Sequence, residues 1–308
     1  MKLTIAIGTY NRPEQIQRQV KTLLPQIVSK GIDLVVFDNC SKIPVSTLFS
    51  EEEIKLFKVY RNKINIGRDQ NQVRCLENVN EGWVWTLSDD DIIKSNSVET
   101  ILAFISKHPN SCYINFCNKR DCVATSFEEL VSYFSITGTF GISFFQSACI
   151  YNIDKLKSSI FWFNDFLSSQ IGQICMVLKY MEKAEDSVCV FTKESIIEEV
   201  PPGGWNPLDF IINSSIIVDK YHYKRQLLKS NLFKGMCDMY FTTLSMSNLT
   251  WSQFCYYHSY VIFKFGLFNV LRYNYLTLSG TVFKRIVPKS CFNYIKNMIS
   301  KRYNRKIK

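Results

Sequence analysis

Three consecutive carboxylates follow an apolar run in the first third of the chain. The run spans residues 83–88, and Asp89, Asp90 and Asp91 come directly after it. Adjacent carboxylates at the end of a buried strand repel one another and lose hydration, so a cation should offset their charge. Hard oxygen ligands suit Mg²⁺ or Mn²⁺, and such an ion can carry a phosphorylated ligand. The alternative for this run alone is a solvated acidic turn that caps the following helix.

Two other polar clusters stand at the ends of short apolar runs. Thr9-Tyr10-Asn11-Arg12 follows residues 3–7, and Asp38-Asn39-Cys40-Ser41 follows residues 34–37. In open α/β sheets, ligands bind outside the carboxyl ends of the strands. Three such strand ends on one edge favour a ligand-binding cleft over an isolated acidic turn.

The elements that must position these clusters alternate between strand and helix patterns. Residues 14–28 carry apolar side chains at helical spacing, with Pro13 suited to the first turn and Gly31 to the end. Strands are predicted at 3–7, 34–37, 54–60 and 83–87, and a second helix is predicted at 70–79. Short apolar strands separated by helices predict an α/β fold with a parallel, doubly wound sheet.

With these elements in place, the chain resembles the family 2 glycosyltransferases, which have the Rossmann-like GT-A fold. The matching motifs occur in family order and are Ile7-Gly8-Thr9-Tyr10-Asn11-Arg12, Val36-Phe37-Asp38-Asn39-Cys40-Ser41, Asn65-Ile66-Gly67 with Asn71, and Leu87-Ser88-Asp89-Asp90-Asp91. The stretch 65–91 is most similar to the subgroup of abequosyltransferases and other O-antigen sugar transferases. Gly8 stands where the family usually has Pro, which is expected to affect the turn more than the chemistry. Beyond about residue 95 the resemblance thins.

The resemblance implies a nucleotide-sugar donor and a divalent cation, Mn²⁺ or Mg²⁺. Residues matching the donor pocket are Thr9, Tyr10, Arg12, Asp38, Asn65, Gly67, Arg68, Asn71, Asp89 and Asp90. Asp89 and Asp91 match the family's DxD metal motif, with Asp91 as the direct ligand. Asp38 matches the residue that accepts a hydrogen bond from base or ribose, and Asp90 is implied to position the sugar or cap the next helix. A surface charge is the alternative for Arg68.

The reaction implied by the resemblance is an inverting displacement that needs a carboxylate base. Asn164-Asp165 matches the family's Glu-Asp pair, so Asp165 is the predicted general base. Asp165 could equally be the N-cap of a helix over residues 166–181. The lesser candidates for the base are Asp154, Asp186, Glu198 and Glu199.

Two glycine-containing segments surround the predicted acceptor side. Residues 137–147 interleave aromatic side chains with two glycines, which suits either a segment beneath a bound sugar or a half-buried hairpin. Residues 200–207 contain two glycines beside Trp205, which suits either a mobile lid or an interdomain linker.

Positive charge is confined to the last third of the chain. The whole chain carries a net +10, whereas residues 201–308 alone have 16 Lys and Arg against three Asp, or +13. From Thr281 onward there are nine basic residues, no acidic residue and apolar side chains at roughly helical spacing. A basic amphipathic helix indicates an anionic membrane surface as the partner. The alternative for this segment is a helix docked on the catalytic domain with a frayed basic end. Nucleic acid is excluded as the partner because no reader motif is present and the apolar face would have no role.

The remaining features predict a cytoplasmic protein that is peripheral on the inner face of the membrane. The most apolar run, residues 254–271, contains His258 and Lys264 and is not a convincing transmembrane helix. The N-terminus enters the first strand at once and leaves no room for a signal peptide. Eleven cysteines without such a signal indicate free thiols in a reducing compartment.

Together these observations predict a GT-A catalytic domain over residues 1–205 and a helical, basic extension over residues 206–308. The predicted activity is metal-dependent transfer of a sugar from a nucleotide-sugar to a polyprenyl-diphosphate-linked glycan, in O-antigen or capsule synthesis. A nucleotidyltransferase and a non-catalytic sugar- or lipid-binding relative are the alternatives. The residues after the first strand are not the Gly-rich phosphate loop that a nucleotidyltransferase normally carries.

Overall fold

A computed structural model describes residues 2–136, 138–183, 186–199, 207–246, 250–267 and 271. The chain divides into two compact units, Met1–Gly235 and Met236–Lys308. The domain boundary predicted at residue 205 lies outside the described residues, as do the 200–206 segment and the basic tail from Thr281 onward.

The first unit is built around an eight-stranded sheet with the strand order β3-β2-β1-β4-β8-β6-β9-β7. Its strands are β1 (Leu3–Thr9), β2 (Asp33–Asp38), β3 (Lys58–Arg61), β4 (Trp83–Ser88), β6 (Ser111–Asn115), β7 (Cys122–Ala124), β8 (Cys149–Asn152) and β9 (Val188–Phe191). A separate two-stranded sheet pairs β5 (Ile92–Ile93) with β10 (Ile197–Glu199) in antiparallel orientation.

The helices in the described parts of the chain include α1 (Pro13–Ile27), α2 (Glu51–Ile54), α3 (Arg68–Glu77), α4 (Ser97–Lys107), α5 (Phe127–Phe134), α6 (Ile153–Leu156), α7 (Ile160–Asp165), α8 (Gly172–Met181), α9 (Pro207–Ser214), α10 (Ile216–Lys220), α11 (Arg225–Met246) and α12 (Trp251–Phe265). Helix α1 buries Ile16, Val20, Leu23 and Ile27, which is the helical spacing that the sequence predicts. These side chains belong to the same core cluster as the strand residues Ile5 and Val36.

The parallel half of the sheet agrees with the sequence prediction. Strand β1 pairs in parallel with β2 on one side and with β4 on the other, and β2 pairs in parallel with β3. Beyond β4 the sheet is mixed, because β8 runs antiparallel to both β4 and β6. The parallel, doubly wound arrangement predicted from residues 3–87 is therefore confirmed for β1 to β4, and the mixed part of the sheet is formed by strands after residue 110 for which the sequence analysis made no prediction.

Local capping explains two corrections. The third strand begins at Lys58 rather than Ile54, because Ser50 and Glu53 form a capping box that starts the short helix α2. The helix predicted over residues 166–181 begins only at Gly172, after a 3₁₀ turn over Leu167–Ser169 and Gln170 at φ 60°. Asp165 is the last residue of α7 and does not cap a helix N-terminus.

The predicted acceptor segment also differs from the hairpin alternative. In the described residues it forms two short 3₁₀ turns, Ile142–Phe144 and Gln146–Ala148, before β8 begins. In the second unit, α12 contains most of the apolar run that begins at Phe254. Of the helices described, none is long and apolar enough to cross a membrane.

Candidate active site

The carboxyl ends of β1 and β4 lie side by side and bring the first and last polar clusters together. The parallel register pairs Gly8 of β1 with Ser88 of β4. Thr9, the last residue of β1, therefore lies beside Asp89, the first residue after β4. The Thr9 hydroxyl donates to Asp89 Oδ2 at 2.6 Å. Both residues are buried. The meeting of these strand ends, which the sequence predicts, is present in the structure.

Arg12 supplies the positive charge nearest to the carboxylates. Its Nη1 donates to Asp89 Oδ1 at 2.8 Å and to Asp90 Oδ2 at 2.6 Å. Burial raises the pKa of Asp89, while the hydrogen bond from Thr9 and the charge of Arg12 oppose that rise. The Arg12 side chain remains 42% exposed, so the same guanidinium also faces solvent at the mouth of the cleft.

Asp91 is also buried and is held by a serine from a distant part of the chain. The hydroxyl of Ser147 donates to Asp91 Oδ2, and Asp91 is only 3% exposed. Burial raises the pKa of Asp91 to about 6, with the charges of Asp90 and Asp89 adding to the shift and the Ser147 hydrogen bond opposing it. This environment penalises the ionised carboxylate and would be relieved by a cation.

The oxygen atoms of these carboxylates determine how a metal could bind. Both oxygens of Asp89 accept hydrogen bonds from Thr9 and Arg12, and both oxygens of Asp90 accept from Arg12 and Ser88. Asp91 Oδ1 accepts no hydrogen bond among the described residues. In the described parts of the chain, no group of three or more His, Cys, Asp or Glu side chains could hold a metal ion. Of the three carboxylates, Asp91 thus offers the one oxygen without a hydrogen bond, and an ion bound there would need most of its ligands from a bound molecule or water.

Asp38 fixes the loop that follows β2. Its carboxylate is fully buried and accepts hydrogen bonds from Ser41 N at 2.8 Å, Val45 N at 3.3 Å and Arg61 Nη1 at 2.7 Å. Arg61 also donates to the Ser41 backbone oxygen at 2.7 Å. A direct contact between Asp38 and a base or ribose stays a prediction, while the geometry shows a carboxylate that organises one wall of the cleft.

Four asparagines connect the end of β2 with the loop before α3. Asn39 donates to Asn65 Oδ1 at 2.8 Å and accepts from Asn62 Nδ2 at 3.0 Å. Asn62 also donates to Asn71 Oδ1 at 2.9 Å, and Asn71 donates to the backbone oxygen of Phe37 at 3.0 Å. The network anchors this loop to the sheet, where several fully satisfied polar groups define one conformation.

Two glycines make this arrangement possible. Gly67 adopts φ 93°, a conformation that side chains rarely take, directly before α3 begins. Gly8 lies inside β1, and a Cβ there would stand 3.0 Å from Asn71 Nδ2. The sequence interpretation of Gly8 as a turn residue was therefore wrong, because the glycine instead gives the Asn71 side chain room to reach the sheet.

The two remaining donor-pocket residues are exposed. Tyr10 presents 43% of its surface at the end of β1. The Arg68 side chain is 58% exposed and its Nε lies 2.9 Å from Asp69 Oδ1. The Arg68 geometry is compatible with a surface ion pair as well as with a ligand contact, so its role stays a prediction.

A cavity of about 290 Å³ opens between the first turn of α1 and the loop after β2. Thr9, Asn11 and Arg12 line one side, Ser41 and Lys42 line another, and apolar side chains form the remainder. A hydrogen bond connects the two sides of the cavity, because the backbone amide of Asn11 donates to Ser41 Oγ at 3.0 Å. A cavity with an apolar floor and two cations at its rim suits a flat heterocycle attached to phosphates.

Asp165, the predicted base, lies at the exposed end of α7. Lys220 Nζ is 3.6 Å from Asp165 Oδ1 and donates to the Asp165 backbone oxygen at 2.8 Å. Among the lesser candidates, Asp154 accepts a hydrogen bond from Gly82 N at 3.0 Å and so supports the backbone. Glu198 is exposed on β10, which pairs with the strand directly after Asp91.

Sequence reasoning missed three residues that hold the site together, namely Arg61, Asn62 and Ser147. Arg61 ends β3, where a polar strand end could have been noticed. Asn62 directly follows β3 and lies three residues before Asn65, so it could also have been noticed as a polar residue at a strand end. Ser147 has no local signal, because its importance arises only when β8 pairs with β4 and places it beside Asp91.

Residues 4–148 match the family model described as Glycosyl transferase family 2. The match includes the cavity, Arg12, the three carboxylates and Ser147, and it ends before Asp165. No curated protein matches this chain.

The fold is similar to solved structures of S. aureus TarS. The structure of TarS 1-349 aligns with a TM-score of 0.57 at 15% identity, over 89% of this chain and 91% of that chain. The same fragment in complex with UDP aligns with a TM-score of 0.54 at 18% identity, over the same shares of the two chains. Its complex with UDP-GlcNAc aligns with a TM-score of 0.50 at 16% identity, again over 89% and 91%. Identities at this level show a shared fold.

The predicted GT-A fold is confirmed, with an α/β sheet followed by a helical C-terminal region. The abequosyltransferase subgroup is not confirmed by the family match or by the structural similarities. Residues 4–148 match the glycosyl transferase family 2 model, and this match together with the shared fold supports a glycosyltransferase.

Proposed function

We propose that the chain transfers a sugar from a nucleotide-sugar donor to a glycan acceptor, with metal assistance and with inversion of the anomeric centre. The observation that carries this proposal is the cluster of Thr9, Arg12 and the three carboxylates beside the cavity of about 290 Å³. The cavity suits the nucleoside, and the carboxylate edge suits a cation-bound diphosphate. The family match over residues 4–148 supports the same assignment.

In this proposal the strand ends share the binding of the donor. Thr9, Tyr10 and Arg12 line the nucleotide side, and Asp38 with the asparagine network holds the opposite wall. Asn65, Gly67, Arg68 and Asn71 form the loop and the start of α3, where the positive end of the helix dipole favours an anion. Asp89 and Asp90 both accept hydrogen bonds from Arg12 and would orient it towards the donor, and Asp90 is proposed to position the sugar.

The metal proposal rests mainly on Asp91, whose Oδ1 is the carboxylate oxygen left without a hydrogen bond in the described site. Asp89 would join as a second ligand only after exchanging a hydrogen bond from Thr9 or Arg12. A bound Mn²⁺ or Mg²⁺ would offset the negative charge that develops on the departing nucleoside diphosphate.

Asp165 is proposed as the general base. Its carboxylate would take the proton of the acceptor hydroxyl as the acceptor oxygen bonds to the anomeric carbon. The bond from that carbon to the diphosphate breaks at the same time, and the diphosphate leaves with the electron pair. Lys220, 3.6 Å from Asp165, would orient the carboxylate before the acceptor arrives.

A panel of nucleotide-sugars tests the proposal most directly. TarS forms complexes with UDP and UDP-GlcNAc, so UDP-sugars are the first donors to assay. We expect nucleoside diphosphate release from at least one donor, and we expect Mn²⁺ or Mg²⁺ to accelerate it. The measurement is release of nucleoside diphosphate, with and without EDTA, over donors that carry different bases.

Other outcomes of the panel would point to the alternatives. Release of pyrophosphate from a nucleoside triphosphate and a sugar phosphate would indicate a nucleotidyltransferase. Donor binding by calorimetry without turnover, with every acceptor tested, would indicate a non-catalytic relative. Either result would contradict the proposed transfer.

The proposed acceptor is a polyprenyl-diphosphate-linked glycan at the inner face of the cytoplasmic membrane, in O-antigen or capsule synthesis. The support is the composition of residues 281–308, which carry nine basic residues and no acidic residue. Each basic residue near an anionic surface contributes about 1 kcal/mol to binding. We expect full-length protein to sediment with anionic vesicles more than with neutral ones, and a chain that ends at Gly280 to lose that preference. Equal sedimentation of both chains would contradict the membrane proposal.

A further inference from the structure

Ser147 is fully buried between the strand that carries the carboxylates and the start of β8. It makes three hydrogen bonds there. The Trp85 indole donates to its backbone oxygen at 2.8 Å, Ser88 N donates to its Oγ at 3.0 Å, and its hydroxyl donates to Asp91 Oδ2. All three partners lie on β4 or directly after it.

These contacts fix the direction of the Ser147 hydroxyl proton. A serine hydroxyl has one proton and two acceptor positions. The Ser88 amide can only donate, so it occupies an acceptor position on Ser147 Oγ. The hydroxyl proton is then free for Asp91 Oδ2, which accepts it.

The backbone around Ser147 is as constrained as its hydroxyl. Trp85 pairs with Ile150 across the β4–β8 ladder, and the Trp85 indole reaches back to the Ser147 carbonyl. Ser147 Oγ is therefore tied to the same strand whose extension carries Asp91. The Asp91 carboxylate cannot rotate freely, because one of its oxygens is held by this hydroxyl.

The two oxygens of Asp91 are consequently not equivalent. Oδ2 is bound to Ser147, and Oδ1 accepts no hydrogen bond from the described residues. Hydrogen bonds to a metal-binding carboxylate from a residue that does not itself touch the metal orient the carboxylate and tune its affinity for the ion.

We propose that Ser147 is a positioning residue that holds Asp91 Oδ2 and thereby presents Oδ1 as the single oxygen offered to the cation of the donor complex. This inference rests on the proposed function, because it requires a cation and a diphosphate at Asp91. It assigns a role to a residue outside the strand-end motifs and makes Asp91 a monodentate ligand.

The test compares Ser147→Ala with Ser147→Thr, which keeps a hydroxyl, and with Ser143→Ala as a matched control. Ser143 is also fully buried in the preceding turn, and its hydroxyl donates to the Thr139 backbone oxygen at 2.9 Å without touching a carboxylate. The readout is Mn²⁺ affinity in the presence of UDP, measured by electron paramagnetic resonance on full-length protein. Thermal melting of each variant measures how far it has lost stability.

We expect Ser147→Ala to weaken Mn²⁺ binding at least about tenfold, which is typical when a metal ligand loses the hydrogen bond that orients it. Ser147→Thr should recover most of the affinity, and Ser143→Ala should keep wild-type affinity even if it melts earlier. Wild-type affinity in Ser147→Ala, or an equal loss in Ser143→Ala, would overturn the positioning role while leaving the proposed function intact. Wild-type protein that binds UDP without any response to Mn²⁺ would instead overturn the metal assignment, and this inference with it.

Discussion

Asp91→Asn is expected to lower turnover at least about a hundredfold, equivalent to ~2.7 kcal/mol of transition-state stabilisation. The neutral amide cannot supply the anionic oxygen that the proposed cation requires. Its carbonyl oxygen can still accept from Ser147, so the local structure should persist. The assay is sugar transfer with saturating Mn²⁺, and near-normal activity would contradict the metal assignment.

The same substitution is expected to stabilise the protein at neutral pH. Burial, together with the neighbouring Asp90 and Asp89, raises the folded-state pKa of Asp91 from 3.8 to about 6. A raised carboxyl pKa means that folding stability is lost as the pH rises from the unfolded value of 3.8 to the folded value, while well below pH 3.8 the group is protonated in both states and the penalty is absent. Asp91→Asn should therefore gain about 1–3 kcal/mol of unfolding free energy at pH 8 and only about 0.5 kcal/mol at pH 4.

Urea unfolding at pH 4 and pH 8 measures this difference. Glu77→Gln is a suitable control, because Glu77 forms an exposed ion pair with Arg74 on α3, away from the carboxylate cluster. The control should change stability little at either pH. An Asp91→Asn variant that is less stable than wild type at pH 8 would show that the carboxylate contributes to folding rather than opposing it.

Asp165→Asn is expected to lower transfer by about 10²–10⁴-fold, the range over which a positioned base contributes. Nucleotide affinity should stay almost unchanged, because the group acts on the acceptor rather than on the donor. The two measurements are transfer rate at saturating donor and UDP affinity by calorimetry. Glu198→Gln, which alters the exposed carboxylate on β10, serves as the competing candidate.

Lys220→Met separates catalysis by Asp165 from a purely structural ion pair. If Asp165 only holds Lys220, both variants should melt earlier by similar amounts and transfer normally. If Asp165 is the base, Lys220→Met should retain far more activity than Asp165→Asn. Loss of activity in Glu198→Gln with normal transfer in Asp165→Asn would move the base to β10.

The sequence predicted the part of the sheet in which apolar runs of the chain are also the buried strands of the structure. Strands β1, β2 and β4 are apolar runs within the parallel part of the sheet, and their polar ends meet as expected. Position 54 was misjudged because the capping box of α2 outweighed the apolar signal of Ile54. The direction of β8 was not predictable, because the burial of its residues is the same in either direction.

The candidate site was predicted where its residues follow strands directly, and missed where partners come from far along the chain. Thr9, Arg12 and Asp89 were identified from their motifs and lie in contact. Ser147 was missed as a contact of Asp91 because the pairing joins residues 56 positions apart. The burial of Asp38 beneath Arg61 likewise depends on β3 and β2 pairing, which no local spacing encodes.

The order of contacts around the carboxylates has a consequence for folding during synthesis. Thr9 and Arg12 are translated before Asp89, so these partners are present when β4 leaves the ribosome. Ser147 emerges later, and β10, which pairs with β5, emerges later still. We therefore expect Arg12 to be the first residue of the nascent chain that offsets the charge of Asp89 and Asp90. Asp91 should gain its hydrogen bond from Ser147 only after β8 has paired with β4.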